Sequence, residues 1–283
     1  MAYKNSLFRS LFGNEKTALS LYNALYGTNY QEQNTDISIN TLEESLLTPH
    51  KNDLSFLVNG KLVVLIEHQS TVNENMPFRF FHPILRLLED SIGDKKALYR
   101  KALVKLPRPQ FIVLYNGTAA FPDKRTLRLS DAFHKVEGFE DIYLELVVEV
   151  YNINEGVNKE IVSRCEELRG YAYFVARVRY HEAEERKKGV MSENSTRVAI
   201  RKAIQDCKEK DLLVDFWDKL TMEEITMLGS EWDLSTALEV EREEGREEVA
   251  QNMLRKGFSY EQTAELSRLN IEKVRELSYS IRS

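Results

Sequence analysis

The sequence has little cysteine, glycine or proline. Its two cysteines, Cys165 and Cys207, stand far apart, so we expect neither a disulfide framework nor a structural zinc site. With 12 glycines and 6 prolines in 283 residues, there is little room for low-complexity linkers. No apolar run approaches the roughly 18 residues of a membrane span, and the first residues lack the apolar segment of a secretory signal. We therefore expect a cytoplasmic protein without a membrane partner.

Positive charge is not in excess either. The chain carries 39 Lys+Arg and 45 Asp+Glu, for a formal net charge of −6 at pH 7. The overall field repels phosphate, so a nucleic-acid partner would need a local basic patch. Hydrophobic residues make up 42% of the chain and aromatic residues 10%, which is enough to bury a sizeable core and excludes a disordered protein. One large or two modest domains are expected.

Hydrophobic periodicity divides the chain into a mixed first part and a helical remainder. Two apolar runs separated by Asn59-Gly60 predict a β-hairpin over residues 53–68, because both turn residues tolerate positive φ. Other strands are predicted over residues 37–42, 110–115 and 142–151. Helices are predicted as a pair within 7–26 interrupted at Gly13-Asn14, and over 78–91, 161–186, 194–210, 239–256, 259–266 and 270–279. The expected fold is α/β, a mixed central sheet flanked by helices, with a helical C-terminal region.

Two carboxylates stand out by their place in the hairpin. Asp53 opens the first strand, and Glu67 lies near the end of the second, followed at i+2 by Gln69 on the same strand face. An acid in an apolar strand is costly to bury unless a partner such as a cation offsets its charge. Asp53, Glu67 and the backbone carbonyl of His68 form a candidate oxygen-ligand set for Mg²⁺, or Mn²⁺, with Gln69 placed to orient a water or a phosphate oxygen.

A purely structural interpretation of the two acids competes with this one. An Asp at a strand start is often turn chemistry, and an acid at a strand end often reaches solvent. A two-residue turn at Asn59-Gly60 would pair Asp53 with Ile66 and put the two acids on opposite faces. A three-residue loop, or a bulge within a strand, would bring them to one face. The metal-site hypothesis therefore predicts an irregular hairpin. The side chain of His68 is expected to pack on the opposite face.

These residues carry a resemblance to a known superfamily. An acid at the head of one strand, a hairpin and then Glu67-His68-Gln69 resemble the PD-(D/E)XK nucleases, with Gln69 where the motif usually has lysine. The finer resemblance is to the Rpn family of recombination-promoting nucleases, also labelled transposases. It runs from residue 5 to beyond residue 180 and includes Asn5-Ser6-Leu7-Phe8, Leu11-Phe12-Gly13, Asn52-Asp53-Leu54-Ser55-Phe56, Gln69-Ser70-Thr71, Asn75-Met76-Pro77-Phe78-Arg79 and Leu114-Tyr115-Asn116-Gly117.

The resemblance implies an activity and a site. It implies that Asp53 and Glu67 bind the divalent metal of a DNA endonuclease, that Gln69 completes the active site, and that DNA cleavage promotes recombination or serves mobile elements. Gln69 can donate only a neutral hydrogen bond, so a lower activity than with lysine is expected. Many relatives have an acid near Asn5 or Ser10, and Glu43 is the one motif-matched substitute.

The resemblance also suggests a division of the chain. Residues 1–190 would form a nuclease-like domain with a restriction-endonuclease-like core, 191–238 a helical extension, and 239–283 a charged helix with a small helical tail. The tail is a candidate for docking or homo-oligomerisation. The rival function is a catalytically weakened DNA-binding or protein-interaction module on the same scaffold.

Basic residues downstream of the hairpin are candidate DNA contacts. Arg79 and Arg86 are seven residues apart, hence on one helix face, and would lie beside the metal site. The densest basic stretch surrounds Tyr99, as in a phosphate-tracking patch, and includes Lys95, Lys96, Arg100 and Lys101. For both groups, a solvated surface is the competing interpretation.

Overall fold

A computed structural model describes residues 2–39, 53–138, 140–187 and 193–282. The elements of the first part are α1 (Ala2–Phe12), α2 (Glu15–Tyr26), β1 (Ile37–Ile39), β2 (Leu54–Val58), β3 (Leu62–Gln69), α3 (Met76–Asp90), β4 (Arg108–Tyr115), β5 (Lys124–Arg128) and β6 (Val147–Asn152). The remainder is helical: α4 (Lys159–Arg164), α5 (Glu166–Lys187), α6 (Glu193–Glu209), α7 (Val214–Lys219), α8 (Met222–Arg255), α9 (Tyr260–Ser267) and α10 (Ile271–Arg282). Among these helices, none combines the length and the apolar character that crossing a bilayer requires.

The strands form one mixed sheet in the order β1-β2-β3-β4-β6-β5. The strand β2 is antiparallel to both β1 and β3, the strands β3, β4 and β6 are parallel, and β5 returns antiparallel to β6. The predicted α/β class, with helices around a mixed sheet and a helical C-terminal region, is confirmed. Because carboxyl ends of parallel strands meet at one edge, the residues after β3, β4 and β6 lie together there.

Alternate residues of the strands enter two hydrophobic cores. The first core lies on the face covered by α1, α2, α5 and α6, and includes Phe8, Phe12, Leu21, Phe56, Val64, Ile66, Tyr171, Phe174, Ile200 and Trp217. The second core lies on the face covered by α3, and includes Val63, Leu65, Met76, Phe80, Ile84, Val113, Tyr115, Leu127 and Val150. Residues of α6 and α7 therefore pack in the same core as the N-terminal helices.

The break between α1 and α2 follows from local chemistry. Asn14 has an extended backbone, and its side chain accepts a hydrogen bond from Thr17 N at 3.0 Å, which caps α2. At the other end, Gly27 adopts a φ of 64°, the left-handed conformation that ends many helices. The predicted pair of N-terminal helices is confirmed.

The hairpin between β2 and β3 is irregular, as the metal-site hypothesis requires. Val58 pairs with Leu62, so Asn59, Gly60 and Lys61 form a three-residue loop. Asn59 and Gly60 have φ of 51° and 62°, and Lys61 N donates to Val58 O at 3.0 Å. Lys61 is thus the extra residue beside a tight turn. Leu54 pairs with Ile66, and continuing the register by one residue places Asp53 opposite Glu67.

Several predicted elements differ from the observed ones. The strand expected over 142–151 begins only at Val147, because Ile142 and Leu144 are exposed. The long helix expected over 161–186 is broken at Cys165, which is extended without a glycine or proline to mark it. The sequence did not predict β5, an edge strand in which only Leu127 is buried, or the short helix α7.

The charged helix expected over 239–256 begins earlier, at α8's first residue Met222. A capping box fixes that start: Thr221 accepts from Glu224 N, and the Glu224 carboxylate accepts from Thr221 N at 2.7 Å. The two short helices that follow match the prediction: both ends of α9 and the start of α10 differ from it by one residue, and the end of α10 by three.

Candidate functional site

The two acids of the hairpin meet at the carboxyl edge of β3. Asp53 directly precedes β2 and Glu67 lies near the end of β3, and only 4% and 6% of their surfaces are exposed. Asp53 Oδ2 accepts a hydrogen bond from His68 N at 2.7 Å, which ties the acid of one strand to the backbone of the next. Since Glu67 alternates with the first-core residue Ile66, it faces the second-core side, where α3 lies.

Each acid is paired with an arginine from a different helix. Arg9 of α1 places Nη2 3.4 Å from Asp53 Oδ1, and its Nε donates to the backbone oxygen of Asp53 at 3.1 Å. Arg79 of α3 donates from Nη2 to Glu67 Oε2 at 3.0 Å. Because α1 and α3 pack on opposite faces of the sheet, the two guanidinium groups approach the acids from both sides.

Burial dominates the electrostatics of the pair. Desolvation raises the pKa of Asp53 to about 6, although the His68 N–H and the charges of Arg9 and Arg79 act in the lowering direction. Desolvation likewise raises the pKa of Glu67 to about 7; Arg79 lowers it, and the negative charge of Asp53 raises it further. The carboxylate of Asp53 therefore lies close enough to Glu67 to oppose its ionisation. Ionising both is costly without additional positive charge.

Gln69 lies on the same strand face as Glu67. Its Nε2 donates to Glu67 Oε2 at 3.1 Å and contacts the Sδ of Met76 at 2.8 Å. One carboxylate oxygen of Glu67, Oε2, therefore accepts hydrogen bonds from both Gln69 and Arg79. Within the residues that the structure describes, the other oxygen, Oε1, accepts no hydrogen bond.

The donor set fits a hard divalent cation that keeps several waters. In the described ranges, no three His, Cys, Asp or Glu side chains converge as a metal cluster. An ion here would therefore rely on the carboxylates of Asp53 and Glu67, a backbone carbonyl such as that of His68, and water. Oxygen ligands and retained waters are typical of Mg²⁺ and Mn²⁺. Glu67 Oε1, which accepts no hydrogen bond from the described residues, would be a ligand for such an ion, and the ion would offset the charge of the two buried carboxylates.

His68 has a structural place on the opposite face of β3, as its alternation with Glu67 predicts. It is buried, its ring stacks on Phe8 with centroids 5.6 Å apart, and its Nε2 lies 3.0 Å from the hydroxyl of Tyr171. These contacts fix α1 and α5 against the strand that carries Glu67. The imidazole therefore serves packing, and only its backbone belongs to the candidate site.

We expect Tyr171→Phe to lower the free energy of unfolding by about 1 kcal/mol, because it removes the buried hydrogen bond to His68. Urea unfolding measures the loss. Tyr173→Phe is the matched control on the same helix, since in the described part of the chain the Tyr173 hydroxyl makes no hydrogen bond and is only partly buried. Equal losses in the two variants would contradict the assigned role of the His68–Tyr171 bond.

The other predicted site residues lie apart from the acids, except Arg79. Arg86 is exposed on α3, about 10 Å along the helix from Arg79. Lys95, Lys96, Arg100 and Lys101 are exposed in the segment that joins α3 to β4, and Arg100 pairs with Asp94 at 2.9 Å. That segment leads to the amino end of β4, whereas Glu67 lies near the other sheet edge. Glu43 falls outside the described residues.

Three residues around the site were not predicted to support it, although the Leu114-Tyr115-Asn116-Gly117 motif includes one of them. Arg9 pairs with Asp53 across 44 positions, and a lone basic residue in the last turn of α1 is a weak signal for that. Asn116, which follows β4, is fully buried, and its backbone N–H donates to Gln69 O at 2.8 Å. Arg179 of α5 in turn donates to Asn116 O at 2.7 Å. These backbone contacts hold the ends of β3 and β4 together.

A scan against protein-family models finds no matching family, and neither a search of curated proteins nor a search of solved structures finds a match. The resemblance to the Rpn nucleases thus rests on the motifs of this chain alone. The structure brings Asp53, Glu67 and Gln69 together where β2 begins and β3 ends.

Proposed function

We propose that the protein is a metal-dependent DNA endonuclease that hydrolyses phosphodiester bonds. One observation carries the proposal: a three-residue hairpin loop brings Asp53 directly opposite Glu67, both nearly buried, with Gln69 on the same face as Glu67. Two acids with raised pKa values at a sheet edge are typical of a site for a divalent cation or for acid–base chemistry. The motifs shared with the Rpn family favour the first of these.

The residues of the chain would divide the work. Asp53 and Glu67 would hold Mg²⁺ or Mn²⁺, with the His68 carbonyl as an additional oxygen donor. A bound ion of this kind lowers the pKa of a coordinated water and neutralises charge on an attacked phosphate. Gln69 restrains Glu67 through its amide N–H and offers a neutral donor beside it. Arg9 and the His68 N–H hold Asp53 in position from the other side.

The substrate and the biological role come from the resemblance. DNA as substrate, cleavage that promotes recombination or serves mobile elements, and a cytoplasmic location are parts of this proposal. Contacts of the DNA backbone with Arg86, Lys95, Lys96, Arg100 and Lys101, and assembly through the C-terminal helices, are included as secondary proposals. With a net charge of −6, the protein needs such local basic groups to hold a polyanion.

Plasmid nicking tests the proposal. Purified wild-type protein is titrated with Mg²⁺, Mn²⁺ or Ca²⁺ and compared with Asp53→Ala and with Glu89→Gln, which removes an exposed acid on α3. We expect cleavage that requires Mg²⁺ or Mn²⁺, a loss of at least 100-fold in Asp53→Ala, since the site loses a metal ligand, and no change in Glu89→Gln. Cleavage that survives in Asp53→Ala would place the activity elsewhere or in a contaminant.

A second candidate function has one observation in its favour. Each acid is already paired with an arginine, and the position usually held by lysine is the neutral Gln69. The site of a catalytically weakened DNA-binding or protein-interaction module would have these features. Saturable binding of DNA without cleavage in any metal, unchanged by Asp53→Ala, would favour this function over the nuclease.

A further inference from the structure

Arg79 reaches the oxygen of the candidate site that Gln69 also contacts. Its Nη2 lies 3.0 Å from Glu67 Oε2, and Gln69 Nε2 lies 3.1 Å from the same atom. The side chains come from different elements, β3 and α3, and converge on one carboxylate. A charged donor and a neutral donor therefore stand side by side at the edge of the site.

The position of Arg79 is fixed by the packing of α3. Met76 and Phe80, on either side of it in sequence, are 1% and 0% exposed and belong to the second core. Met76 also contacts Gln69 through its sulfur. The first turn of α3 is thus anchored against the end of β3, so the guanidinium of Arg79 is delivered to Glu67 from a rigid element.

Arg79 keeps most of its hydrogen-bonding capacity. Its side chain is 35% exposed, whereas that of Glu67 is 8% exposed. Within the described part of the chain, the bond from Nη2 to Glu67 is the one hydrogen bond that the side chain of Arg79 makes. An arginine carries several N–H donors in a planar fork that suits phosphate oxygens. The remaining donors are available at the site surface.

Arg9 differs in this respect. Its Nε and Nη2 both bond Asp53, one to the backbone oxygen and the other to the carboxylate. This arrangement holds the start of β2 against α1. Of the two arginines at the acids, Arg79 therefore keeps more of its N–H donors for a ligand.

We infer that Arg79 binds the phosphate of the substrate and supplies the positive charge that Gln69 does not carry. This inference rests on the proposed nuclease function and names a phosphodiester oxyanion as the ligand of the guanidinium. Fixed positive charge aimed at the oxygens of an attacked phosphate stabilises the charge that develops there. The positive charge at the phosphate would then come from Arg79 on α3, and not from a lysine at the position of Gln69 on β3.

The competing explanation is that Arg79 only pairs with Glu67 and has a structural role. Moving the positive charge from position 79 to position 69 distinguishes this explanation from phosphate binding. The variants are Arg79→Gln, Arg79→Lys, Gln69→Lys and the double variant Arg79→Gln/Gln69→Lys. Arg125→Gln is the matched control, because it breaks an exposed Arg–Glu pair of 2.8 Å with Glu74 that includes neither Asp53 nor Glu67. Thermal melts test whether each variant is folded. If Arg79→Gln does not fold, Arg79→Lys, which keeps the positive charge, takes its place in the comparison.

Two readouts are measured on the full chain. Plasmid cleavage in Mg²⁺ is expected to fall about 100-fold in Arg79→Gln, to stay within about tenfold of wild type in Arg79→Lys, and to recover at least about tenfold in the double variant. Binding of a fluorescent DNA duplex in Ca²⁺ is followed against salt. The slope of log affinity against log salt is expected to fall by about 1 in Arg79→Gln and to be unchanged in Arg125→Gln.

The outcomes separate this inference from the proposed function. If wild type cleaves DNA but Arg79→Gln keeps both its rate and its salt slope, the inference is overturned and the nuclease stands. If Arg79→Gln loses activity and Gln69→Lys does not restore any of it, a structural role for Arg79 is indicated and the inference also fails. If wild type does not cleave in any metal while the salt slope still falls in Arg79→Gln, the nuclease fails and the phosphate contact stands.

Discussion

Glu67→Gln is expected to make the metal-free protein more stable at pH 8 and to remove its metal-dependent cleavage. Stability rises and cleavage is lost for the same reason: the charge of the Glu67 carboxylate destabilises the metal-free fold and binds the metal. Burial raises the pKa of Glu67 to about 7 from an ordinary value of 4.5, so the folded protein holds this ionised group at a cost. The amide keeps an oxygen that can accept from Arg79, but it carries no charge to desolvate and is a poor metal ligand.

The direction of the pH dependence follows from proton linkage. Between pH 4.5 and 7 the folded protein binds more protons at Glu67 than the unfolded chain does, so the free energy of unfolding falls as pH rises. Asp53, whose pKa burial raises to about 6, contributes with the same sign between its ordinary 3.8 and that value. A shift of this size corresponds to roughly 3 kcal/mol for Glu67 once it is fully ionised.

Thermal unfolding in EDTA from pH 4 to pH 8.5 measures this dependence. Between pH 5 and pH 8 wild type is expected to lose stability, and Glu67→Gln to lose less and to exceed wild type above pH 7. Glu89→Gln, which removes an exposed acid, should follow wild type. Added Mg²⁺ should then stabilise wild type at pH 8 but not Glu67→Gln. If wild type and Glu67→Gln showed the same dependence of stability on pH in EDTA, the pKa of Glu67 would not be raised in the folded protein.

The hairpin shows how far local sequence specifies the site. The Asn59-Gly60 signal located the turn, and strand alternation placed Glu67 and Gln69 on one face and His68 on the other. The pairing of Asp53 with Glu67 depends on one further residue, Lys61, which lies outside the strand ladder. The sequence allowed both a two-residue and a three-residue loop there, because a bulge is decided by how the strands twist and pack.

The partners of the acids were not predictable in the same way. Arg9 lies 44 residues before Asp53, and the contact exists because α1 packs on the first core beside β3. Arg79 was expected near a metal, as a contact to DNA, and the structure pairs it with Glu67 itself. A helix pattern specifies which face is buried, but not which acid a flanking arginine meets after the helix docks.

The elements that sequence missed share a weak local signal. In β5, Lys124, Arg125, Thr126 and Arg128 are exposed, and the strand exists because it pairs with β6 at the sheet edge. The break at Cys165 has no helix-breaking residue, and its buried thiol lies 3.3 Å from a carboxylate oxygen of Glu167. The pairing of β5 is a tertiary effect that overrides local preference, whereas the contact at Cys165 is local to the break.

Gly117→Ala is expected to destabilise the protein by about 3 kcal/mol and to impair the candidate site. A methyl group at this position would lie 2.1 Å from the backbone oxygen of Ser70 and 2.4 Å from the Tyr115 hydroxyl. Ser70 directly follows Gln69, and the Tyr115 hydroxyl donates to Ala119 O at 2.9 Å. The backbone of one loop would have to move, because neither obstacle is the free end of a flexible side chain.

The loops after β3 and β4 must therefore separate in Gly117→Ala, which strains the bond from Asn116 N to Gln69 O. We expect a lower urea midpoint and, if the protein is a nuclease, cleavage reduced together with it. Gly93→Ala is the matched control, because a methyl group there meets no atom within 4 Å, and it is expected to leave stability unchanged within about 0.5 kcal/mol. Equal stability of the two alanine variants would mean that the two loops are not in contact, and that the carboxyl edge of the sheet does not hold Gln69 in place.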